Sequence, residues 1–438
     1  MNLRRAFRMQ APVRAALVGA GGKTTALFQL ARLLEPPVLV TASTHLGAWQ
    51  ASLADQHSIV TRPKDVAGAA GQIEGVALFT GPEGADERLA GVDTATLAAI
   101  AELADRLGFS VLIEADGSRR KPLKAPTDHE PAVPDWGNLV IVCAGLSGLG
   151  KPLDAETVHR PERFAELSGL RQGETITPEA LARVLVHPQG GLKGIPAGAR
   201  KAALLNQADT LETQAQAAIM DAALLAGFDA VITASLETRQ IYRVAEPCAG
   251  ILLAGGGSSR YGAPKMLLPW RGKPLIRHAA EAALGGGLSP VVVVTGAVEA
   301  PLREALAGLP VLFAPNPEWQ EGQSASLRAG LQALPPRAGS AVFLLVDQPY
   351  VTPELIRALR ERHAETLAPV VAPRVGKKRA NPVLFDRDTF PDLLALRGDT
   401  GGRAIFQRTP LTYLDWPDAN LLLDVDTPED YARLEEAE

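Results

Sequence analysis

The chain has 438 residues, too many for one ordinary hydrophobic core, so two or three domains are expected. Hydrophobic residues make up 46% and charged residues 21%, which excludes large-scale disorder. With a formal net charge of −5 there is no overall positive field, so we expect neither nucleic acid nor a membrane as partner. Two distant cysteines and seven histidines show no disulfide or zinc spacing. With no recognisable signal peptide and no apolar run of ~18 residues, a cytoplasmic enzyme is expected.

The first half of the chain alternates short apolar runs with amphipathic stretches. This alternation predicts an α/β domain in which helices cover a parallel sheet. Helices are predicted at 24–34 and 94–107. The predicted strands are 15–18, 38–41, 111–114, 139–142, 201–206 and 230–234.

A glycine turn follows the first predicted strand, where Gly19-Ala-Gly-Gly-Lys-Thr-Thr25 opens a helix. Backbone N–H groups and the helix start would cradle phosphates, Lys23 would pair with them, and Thr24 would reach magnesium. Leu17 stands where the full P-loop motif has glycine, so the turn is only P-loop-like. The predicted nucleotide-binding residues of this half are Gly19, Gly21, Gly22, Lys23, Thr24, Thr25, Glu114 and Asp116.

Two carboxylates end the strand at 111–114. Strand alternation puts Glu114 and Asp116 on one face, where they could serve magnesium, although a structural Asp-Gly turn is the alternative. Lys121 and Lys124 follow, and they either line the cleft or are solvated. The sequence Asn206-Gln-Ala-Asp209 is similar to the base-reading loops of GTPases, with glutamine where lysine is expected.

The stretches VGAGGKTT and VLIEADGSRRKPLKAP resemble the YqeC-type family of selenium-dependent hydroxylase accessory proteins. The resemblance spans roughly residues 10–235 and implies a nucleotide-binding domain without a defined reaction. We place this domain at residues 1–245. The segment 237–249 is predicted to separate it from the second domain.

The α/β pattern restarts after this segment. Helices are predicted at 275–283 and 353–363. The predicted strands are 251–254, 291–295, 311–313, 342–346, 370–372 and 383–385.

A second glycine turn follows the strand at 251–254, in the sequence Gly255-Gly-Gly-Ser-Ser-Arg260, and Lys265 comes five residues later. Glycines let backbone N–H groups approach phosphate oxygens closely, and the Arg260 guanidinium suits phosphate. Lys265 is spaced to close on the same phosphates. The predicted nucleotide-binding residues are Leu253, Ala254, Gly255, Gly256, Gly257, Ser258 and Lys265.

Two aspartates lie at other strand ends of this half. Asp347 follows the strand at 342–346, and Asp426 lies in Asp424-Val-Asp-Thr-Pro-Glu429. Open α/β sheets bind ligands at the carboxyl ends of strands, and Mg²⁺ prefers one or two carboxylates plus substrate phosphates. We therefore predict magnesium on Asp347 and Asp426, and catalytic roles for Arg260, Lys265 and Asp347.

The stretch LAGGGSSRYGAPKMLLPWRGKPLI resembles the molybdenum cofactor nucleotidyltransferases, as do EGQSASLRAG, LVDQP, GDTGGR and DVDTPED. The resemblance covers nearly all of residues 250–438, and we place this domain at 249–438. It implies a Rossmann-like, MobA-like nucleotidyltransferase fold. It adds Gln323 and Ser324 to the nucleotide-binding residues and implies pterin-side roles for Arg379, Asn381, Asp399 and Arg403.

The EGQSASLRAG stretch is typical of the cytidylyltransferase branch. That branch joins CMP from CTP to molybdenum-molybdopterin, releases pyrophosphate, and serves the maturation of molybdenum hydroxylases. Gly255 departs from it, because the cytidylyl branch usually has alanine there and the guanylyl branch glycine. Tyr261 and Ala380 also depart from the usual methionine and glycine.

Alternative functions therefore stay open. They are a guanylyltransferase using GTP, a transferase acting on another small phosphate, and a nucleotide-dependent carrier that hands the cofactor to an apo-hydroxylase.

Overall fold

The computed structural model describes residues 1–69, 73–255 and 264–436. They divide into two compact units, Met1–Ala245 and Glu246–Glu438. Each unit has a sheet with helices on both faces, which confirms the predicted class of two three-layer α/β domains. None of the described helices is both long and apolar enough to cross a bilayer.

The strands of the first unit are β1 (Arg14–Gly19), β2 (Val38–Ala42), β3 (Leu46–Gly47), β4 (Gln56–Ile59), β5 (Val76–Thr80), β6 (Arg88–Leu89), β7 (Ser110–Glu114), β8 (Leu123–Lys124), β9 (Leu139–Gly145), β10 (Val158–His159), β11 (Arg200–Asn206), β12 (Ala230–Ser235) and β13 (Gln240–Ala245). Nine of them form one sheet in the described residues, in the order β13-β12-β11-β9-β1-β7-β2-β5-β4. Its pairings are parallel except that of β13 with β12. The carboxyl ends of β1, β7 and β9 therefore meet at one edge.

The helices of this unit are α1 (Leu3–Ala6), α2 (Lys23–Ala31), α3 (Pro63–Ala69), α4 (Thr94–Leu107), α5 (Pro161–Ser168), α6 (Pro178–Val186) and α7 (Leu211–Leu224). Alternate strand residues such as Ala16 and Val18 share one core with α4, α6 and α7. Helix α2 packs against β1, β7 and β2. It ends three residues before the predicted limit, at Ala31.

The two units divide after Ala245, within the predicted boundary segment 237–249, and this segment is itself largely β-structured. Gln240–Ala245 forms β13, the antiparallel edge strand of the first sheet, and the next strand starts at Cys248. A tight turn at 236–239 allows this hairpin, with Arg239 at a φ of +56°. We did not predict the strand within this segment, because an edge strand with polar residues has the same sequence pattern as a loop.

The strands of the second unit are β14 (Cys248–Ala254), β15 (Pro269–Trp270), β16 (Lys273–Pro274), β17 (Val291–Thr295), β18 (Val311–Pro315), β19 (Ser340–Leu345), β20 (Val370–Val375), β21 (Lys378–Arg379), β22 (Val383–Asp386) and β23 (Leu411–Asp415). The sheet order is β18-β17-β14-β19-β22-β20-β21, with β23 paired to β20. The pairings among β18, β17, β14 and β19 are parallel. Strand β22 is antiparallel to both β19 and β20, so this sheet is mixed.

The helices of the second unit are α8 (Leu275–Gly285), α9 (Ala300–Ala305), α10 (Gln323–Gln332), α11 (Pro353–Thr366), α12 (Phe390–Leu394) and α13 (Pro428–Glu436). Strand β17 shows how they are sorted. Val291 and Val293 share a core with α8 and α11, whereas Val292 and Val294 pack with α10 and α12. Successive side chains of this fully buried strand point to opposite faces of the sheet, so each face contributes to a separate hydrophobic core.

Candidate functional sites

The N-terminal glycine turn is fixed by its contact with β9. Gly19, Gly21 and Gly22 have φ values of +92°, +73° and +124°, which favour glycine. A side chain on Gly19 would collide with the Cys143 carbonyl, and one on Gly21 with the backbone of Gly145. Packing alone therefore demands glycine here, so these glycines are not by themselves evidence of phosphate binding.

The predicted polar residues converge at the start of α2. The Lys23 ammonium donates to the Gly19 carbonyl at 2.7 Å and lies 3.3 Å from Asp116. It is 3.8 Å from Glu114, which accepts from the Thr24 hydroxyl at 2.6 Å. Asp116 also accepts from the Gly19 amide at 3.0 Å. Thr25 lies exposed in the same first turn, whose amides have no acceptor within the helix.

The charges of this site are buried. Burial disfavours the Lys23 ammonium, but Asp116 and Glu114 outweigh it and raise the pKa of the lysine. Burial raises the pKa of Glu114, against the pull of Lys23. The site is therefore a closed cluster of mutually paired charges.

Lys124 is a second buried lysine of this cluster, and sequence reasoning left its place open. Its ammonium lies 2.7 Å from Asp116, 2.8 Å from Glu130 and 2.6 Å from the Gly117 carbonyl. Arg160 adds an ion pair to Glu130 at 2.6 Å. Burial would raise the pKa of Glu130, but hydrogen bonds from Arg160 and Lys124 lower it to about 2. The sequence neighbours of Lys124, Leu123 and Ala125, are buried too, but the burial of this lysine itself depends on acidic partners that only the fold brings beside it.

The Asn206 side chain contacts the glycine turn. Its amide donates to the Gly21 carbonyl at 2.7 Å, and its oxygen accepts from the Leu236 amide at 2.9 Å. Asp209 of the same motif is exposed. Ser43 and Thr44 follow β2 and were not predicted as site residues. Their hydroxyl oxygens are buried without a hydrogen-bond partner among the described residues.

The C-terminal site brings together residues that are far apart in sequence. The Lys265 ammonium lies 2.6 Å from Asp347 and 2.8 Å from Asp426. The Val425 amide donates to the Asp347 carbonyl at 2.9 Å, which holds the Asp426 segment at the end of β19. Burial disfavours the Lys265 charge, but Asp347 and then Asp426 outweigh it and raise the pKa of the lysine. Asp424 instead accepts from Gln348 at 2.6 Å.

A cleft of about 540 Å³ opens beside this cluster. Leu253 and Gly255 line it at the end of β14, and Gln323 lines it at the start of α10. Asp399 also lines the cleft and accepts from the Gln323 amide at 3.3 Å. Ala254 is buried at the strand end.

Ser324 lies away from this cleft, although it belongs to the predicted nucleotide-binding residues. It is fully buried, and its hydroxyl donates to the Gly398 carbonyl at 2.7 Å. Ser326 lines the cleft instead, because it is three residues after Gln323 and therefore lies on the same face of the helix. Trp319, which sequence reasoning missed, lines the cleft too.

Three of the four predicted pterin-side residues, Arg379, Asn381 and Arg403, lie near one another and do not line the cleft. The fourth, Asp399, lines it. Arg379 donates to Asn381 at 3.2 Å, and its guanidinium lies 5.3 Å from the centre of the Phe406 ring. Burial, and then the charge of Arg403, lowers the pKa of Arg379. Of the other C-terminal predictions, Gly256, Gly257, Ser258 and Arg260 lie outside the described residues.

No three His, Cys, Asp or Glu side chains form a metal-binding group within residues 1–69, 73–255 and 264–436. Asp347 and Asp426 are therefore at most a partial ligand set. Oδ1 of Asp347 is nevertheless buried with no hydrogen-bond partner in the described part of the chain. A buried oxygen of this kind is available to a cation or a ligand.

A Rossmann-like sheet with a lysine between two strand-end aspartates beside an open cleft defines the second unit as a nucleotide-handling enzyme domain. The chain belongs to the MobA-like NTP transferase domain family through residues 250–413 and to the YqeC protein family through residues 15–162. The predicted fusion is thereby confirmed, and the C-terminal domain is a nucleotidyltransferase.

Relatives match each half separately. The YqeC protein of Escherichia coli K12 is 35% identical over 45% of this chain and 76% of its own length. A protein of Paenarthrobacter nicotinovorans named nicotine blue oxidoreductase is 34% identical over 43% of this chain and 97% of its own. A probable molybdenum cofactor guanylyltransferase of Mycobacterium bovis BCG is 34% identical over 35% of this chain and 73% of its own. The two relatives of the C-terminal half are named for different reactions, so likeness alone does not select the substrate.

Proposed function

We propose that the C-terminal domain transfers CMP from CTP to molybdenum-molybdopterin and releases pyrophosphate. The observation that carries the transfer chemistry is the Lys265 ammonium held between Asp347 and Asp426 beside the cleft. The choice of CTP is supported by the cytidylyl-type stretch EGQSASLRAG. The likeness to a relative named as a molybdenum cofactor guanylyltransferase supports molybdopterin as acceptor. The product would serve an apo molybdenum hydroxylase.

The two aspartates fit a magnesium ion. They already share one cation, the Lys265 ammonium, and Asp347 keeps a buried oxygen without a partner among the described residues. Magnesium commonly takes one or two protein carboxylates and completes its shell with substrate phosphates and water. When bound, it would neutralise charge on the phosphates.

The reaction itself needs positioning more than a covalent nucleophile. A phosphate oxygen of the acceptor would attack the α-phosphorus of CTP, and the bond to the β-phosphate oxygen would break as pyrophosphate leaves. Lys265 would move its charge toward the phosphates, where it stabilises the developing negative charge. Gln323 and Ser326, at the start of α10, would contact the nucleotide in the cleft.

The packing of Gly255 bears on the choice between CTP and GTP. A Cβ atom at this position would lie 2.9 Å from the Ser326 hydroxyl, which accepts from Asn316 at 3.1 Å. Packing against Ser326 thus explains the glycine at position 255 without reference to the nucleotide base. Its departure from the cytidylyl pattern therefore weighs less against CTP than the sequence suggested.

For the N-terminal domain we propose binding of a nucleoside phosphate at the start of α2. The convergence of Lys23, Thr24 and Glu114 beside the open amides of the first turn supports it. A carrier role, in which this domain hands the cofactor to the hydroxylase, is compatible with the same site.

Pyrophosphate release tests the proposed transfer. The purified chain with Mg²⁺ is given each nucleoside triphosphate, with and without molybdenum-molybdopterin. Release only with CTP and cofactor is the expected result. Release only with GTP and cofactor would replace CMP by GMP in the proposal. Tight nucleotide binding with no pyrophosphate would overturn transfer and favour the carrier.

A further inference from the structure

A second cleft, distinct from the cleft at Lys265, lies in the N-terminal domain. It measures about 820 Å³, which lies within the range of small-molecule sites. Its walls are one side of α2, the 3₁₀-helix Ala48–Leu53 and the hairpin between β12 and β13. The lining is mainly apolar, with Phe28, Leu53 and Ile241 among its residues.

Trp49 lines this cleft with 62% of its surface exposed. Its indole nitrogen lies close against Gly47, where a Cβ atom would be only 2.8 Å away. Gln50 accepts from the Gly47 amide at 2.8 Å, which fixes the start of the 3₁₀-helix. The local backbone therefore presents an indole to solvent at a cleft wall, an arrangement that costs hydrophobic free energy unless a partner covers the ring.

The cleft is continuous with the phosphate end of α2. Thr24 and Thr25, in the first turn of that helix, line it together with Phe28 and Gln29, one turn further on. A molecule with phosphates at the first turn would extend its other end along α2 into the apolar cleft. Arg239, at the rim on the β12–β13 hairpin, adds a positive charge beside it.

We propose that this cleft holds the planar heterocycle of a phosphate ester, stacked on Trp49, while the phosphates bind at the start of α2. The ring is a nucleobase or a pterin, since both are flat, nitrogen-rich and carried on phosphate. The proposal rests on the proposed phosphate binding of the N-terminal domain and deepens it by assigning the ring end. Stacking of a base on an aromatic side chain contributes about 1–3 kcal/mol, which corresponds to roughly a 5- to 150-fold change in affinity.

Tryptophan fluorescence provides a direct test in the full-length chain. Trp319 is changed to Phe so that the C-terminal cleft does not contribute. Nucleoside triphosphates, a pterin phosphate and inorganic tripolyphosphate are titrated separately. We expect quenching by a ring-bearing ligand, loss of that signal when Trp49→Phe is added, and little quenching by tripolyphosphate. The ligand class with the lower half-saturation concentration identifies the ring as base or pterin.

Hydrogen exchange measures affinity at each site separately. Protection of residues 23–31 and 235–241 is followed against ligand concentration in the chain, in Trp49→Ala and in Lys23→Met. Trp49→Ala should weaken the ring-bearing ligand about tenfold or more and leave tripolyphosphate unchanged. Lys23→Met should weaken both, and because Lys23 belongs to the buried charge cluster, unchanged ligand-free protection of α4 (Thr94–Leu107) is required to show that the variant is folded. Because Trp49 is mostly exposed, its replacement should leave the melting temperature unchanged.

The outcomes separate the two proposals. If tripolyphosphate and the ring-bearing ligands protect α2 equally and Trp49→Ala changes neither affinity, the ring site is wrong and phosphate binding stands. If none of these ligands protects the start of α2, phosphate binding fails, and the ring site fails with it.

Discussion

The two domains place a lysine between two carboxylates after a glycine turn, yet they do so in opposite surroundings. Lys23 is 3% exposed and packed among Glu114, Asp116 and its own turn. Lys265 is 22% exposed, and one of its partners, Asp426, is 52% exposed. The charge cluster is therefore closed to solvent in the first domain and partly open to solvent in the second.

This difference separates two uses of an ion pair. Buried charges are expensive to leave unpaired, so breaking the N-terminal cluster should cost stability. More exposed pairs contribute less stability, so the C-terminal residues, and Asp426 above all, can rearrange around a substrate at a lower cost. We infer that mutations in the first cluster act on folding, and that mutations in the second act on the reaction.

Lys124→Met should give the largest effect. It removes one cation from the buried Asp116 and from Glu130, which is 22% exposed. Lys23 and Arg160 remain beside these carboxylates, so the loss should lie near the lower end of the about 3–5 kcal/mol typical of a broken buried ion pair. Pulse proteolysis in urea, read by mass spectrometry, measures the unfolding free energy of each domain. Lys121→Met is the matched control, because Lys121 pairs with the 93% exposed Glu156 and should contribute less than about 1 kcal/mol.

Lys265→Met is the equivalent substitution in the more exposed C-terminal cluster. Its expected cost in the C-terminal domain is about 1 kcal/mol, well below that of Lys124→Met, because Asp426 remains solvated and Asp347 is only partly buried. Equal losses for Lys124→Met and Lys265→Met would contradict the distinction between a closed and an open site.

Asp347→Asn should affect the reaction rather than the fold. It removes the charge that faces Lys265 and the proposed metal, so we expect kcat for pyrophosphate release to fall about 100-fold or more, as with loss of one charge-stabilising group. The melting temperature should stay within a few degrees. Asp415→Asn, which removes the exposed partner of Arg374 in the same domain, is the control. Normal turnover by Asp347→Asn would refute the role assigned to Asp347.

Much of the architecture was predictable, because buried strands and amphipathic helices carry strong periodicity. The runs at 291–295 and 230–234 became β17 and β12. The edge strand β13 and the antiparallel direction of β22 were not predictable. Polar edge strands lack the apolar signal, and strand direction depends on connections that no local pattern encodes.

Site residues followed a similar division. Residues next to glycine turns or strand ends, such as Lys23 and Asp347, were found because topology brings strand ends together. Trp49 was missed, and Ser326 was not singled out from the stretch 322–327 that the resemblance places near the nucleotide. The position of each depends on how a helix face or a short 3₁₀-helix is oriented toward a cleft. Lys124 was left open because a lysine gives no sign of burial until its acidic partners are located in space.

Gly255→Ala tests whether the glycine at this position of the C-terminal cleft serves packing or nucleotide selection. The added methyl group meets the Ser326 hydroxyl, so we expect kcat/KM to fall about tenfold, or 1.4 kcal/mol, with CTP and GTP alike. The measured quantity is the ratio of the two kcat/KM values in the chain and in the variant. An unchanged ratio supports a packing role for Gly255, whereas a shift in preference would show that this glycine reads the base.

The smallest predicted effect is a pH dependence of the closed site. Burial, and then the charges of Arg160 and Lys124, lowers the pKa of His159 to about 4. The unfolded chain protonates this histidine near pH 6.5, so stability is full above that pH and falls as the pH drops toward 4. With a discount for partial exposure, the loss is about 1 kcal/mol.

Urea midpoints of the N-terminal domain at pH 7, 6 and 5 test this dependence, with His159→Gln as the comparison. The variant should lose part of the acid sensitivity. The raised pKa of Lys265 means that its contribution is present at low pH and is lost only as the pH rises past its alkaline pKa. Between pH 4 and 6.5 the titration of Lys265 therefore does not move the C-terminal midpoint. Identical pH profiles for the chain and His159→Gln would show that the N-terminal cations do not act on this histidine.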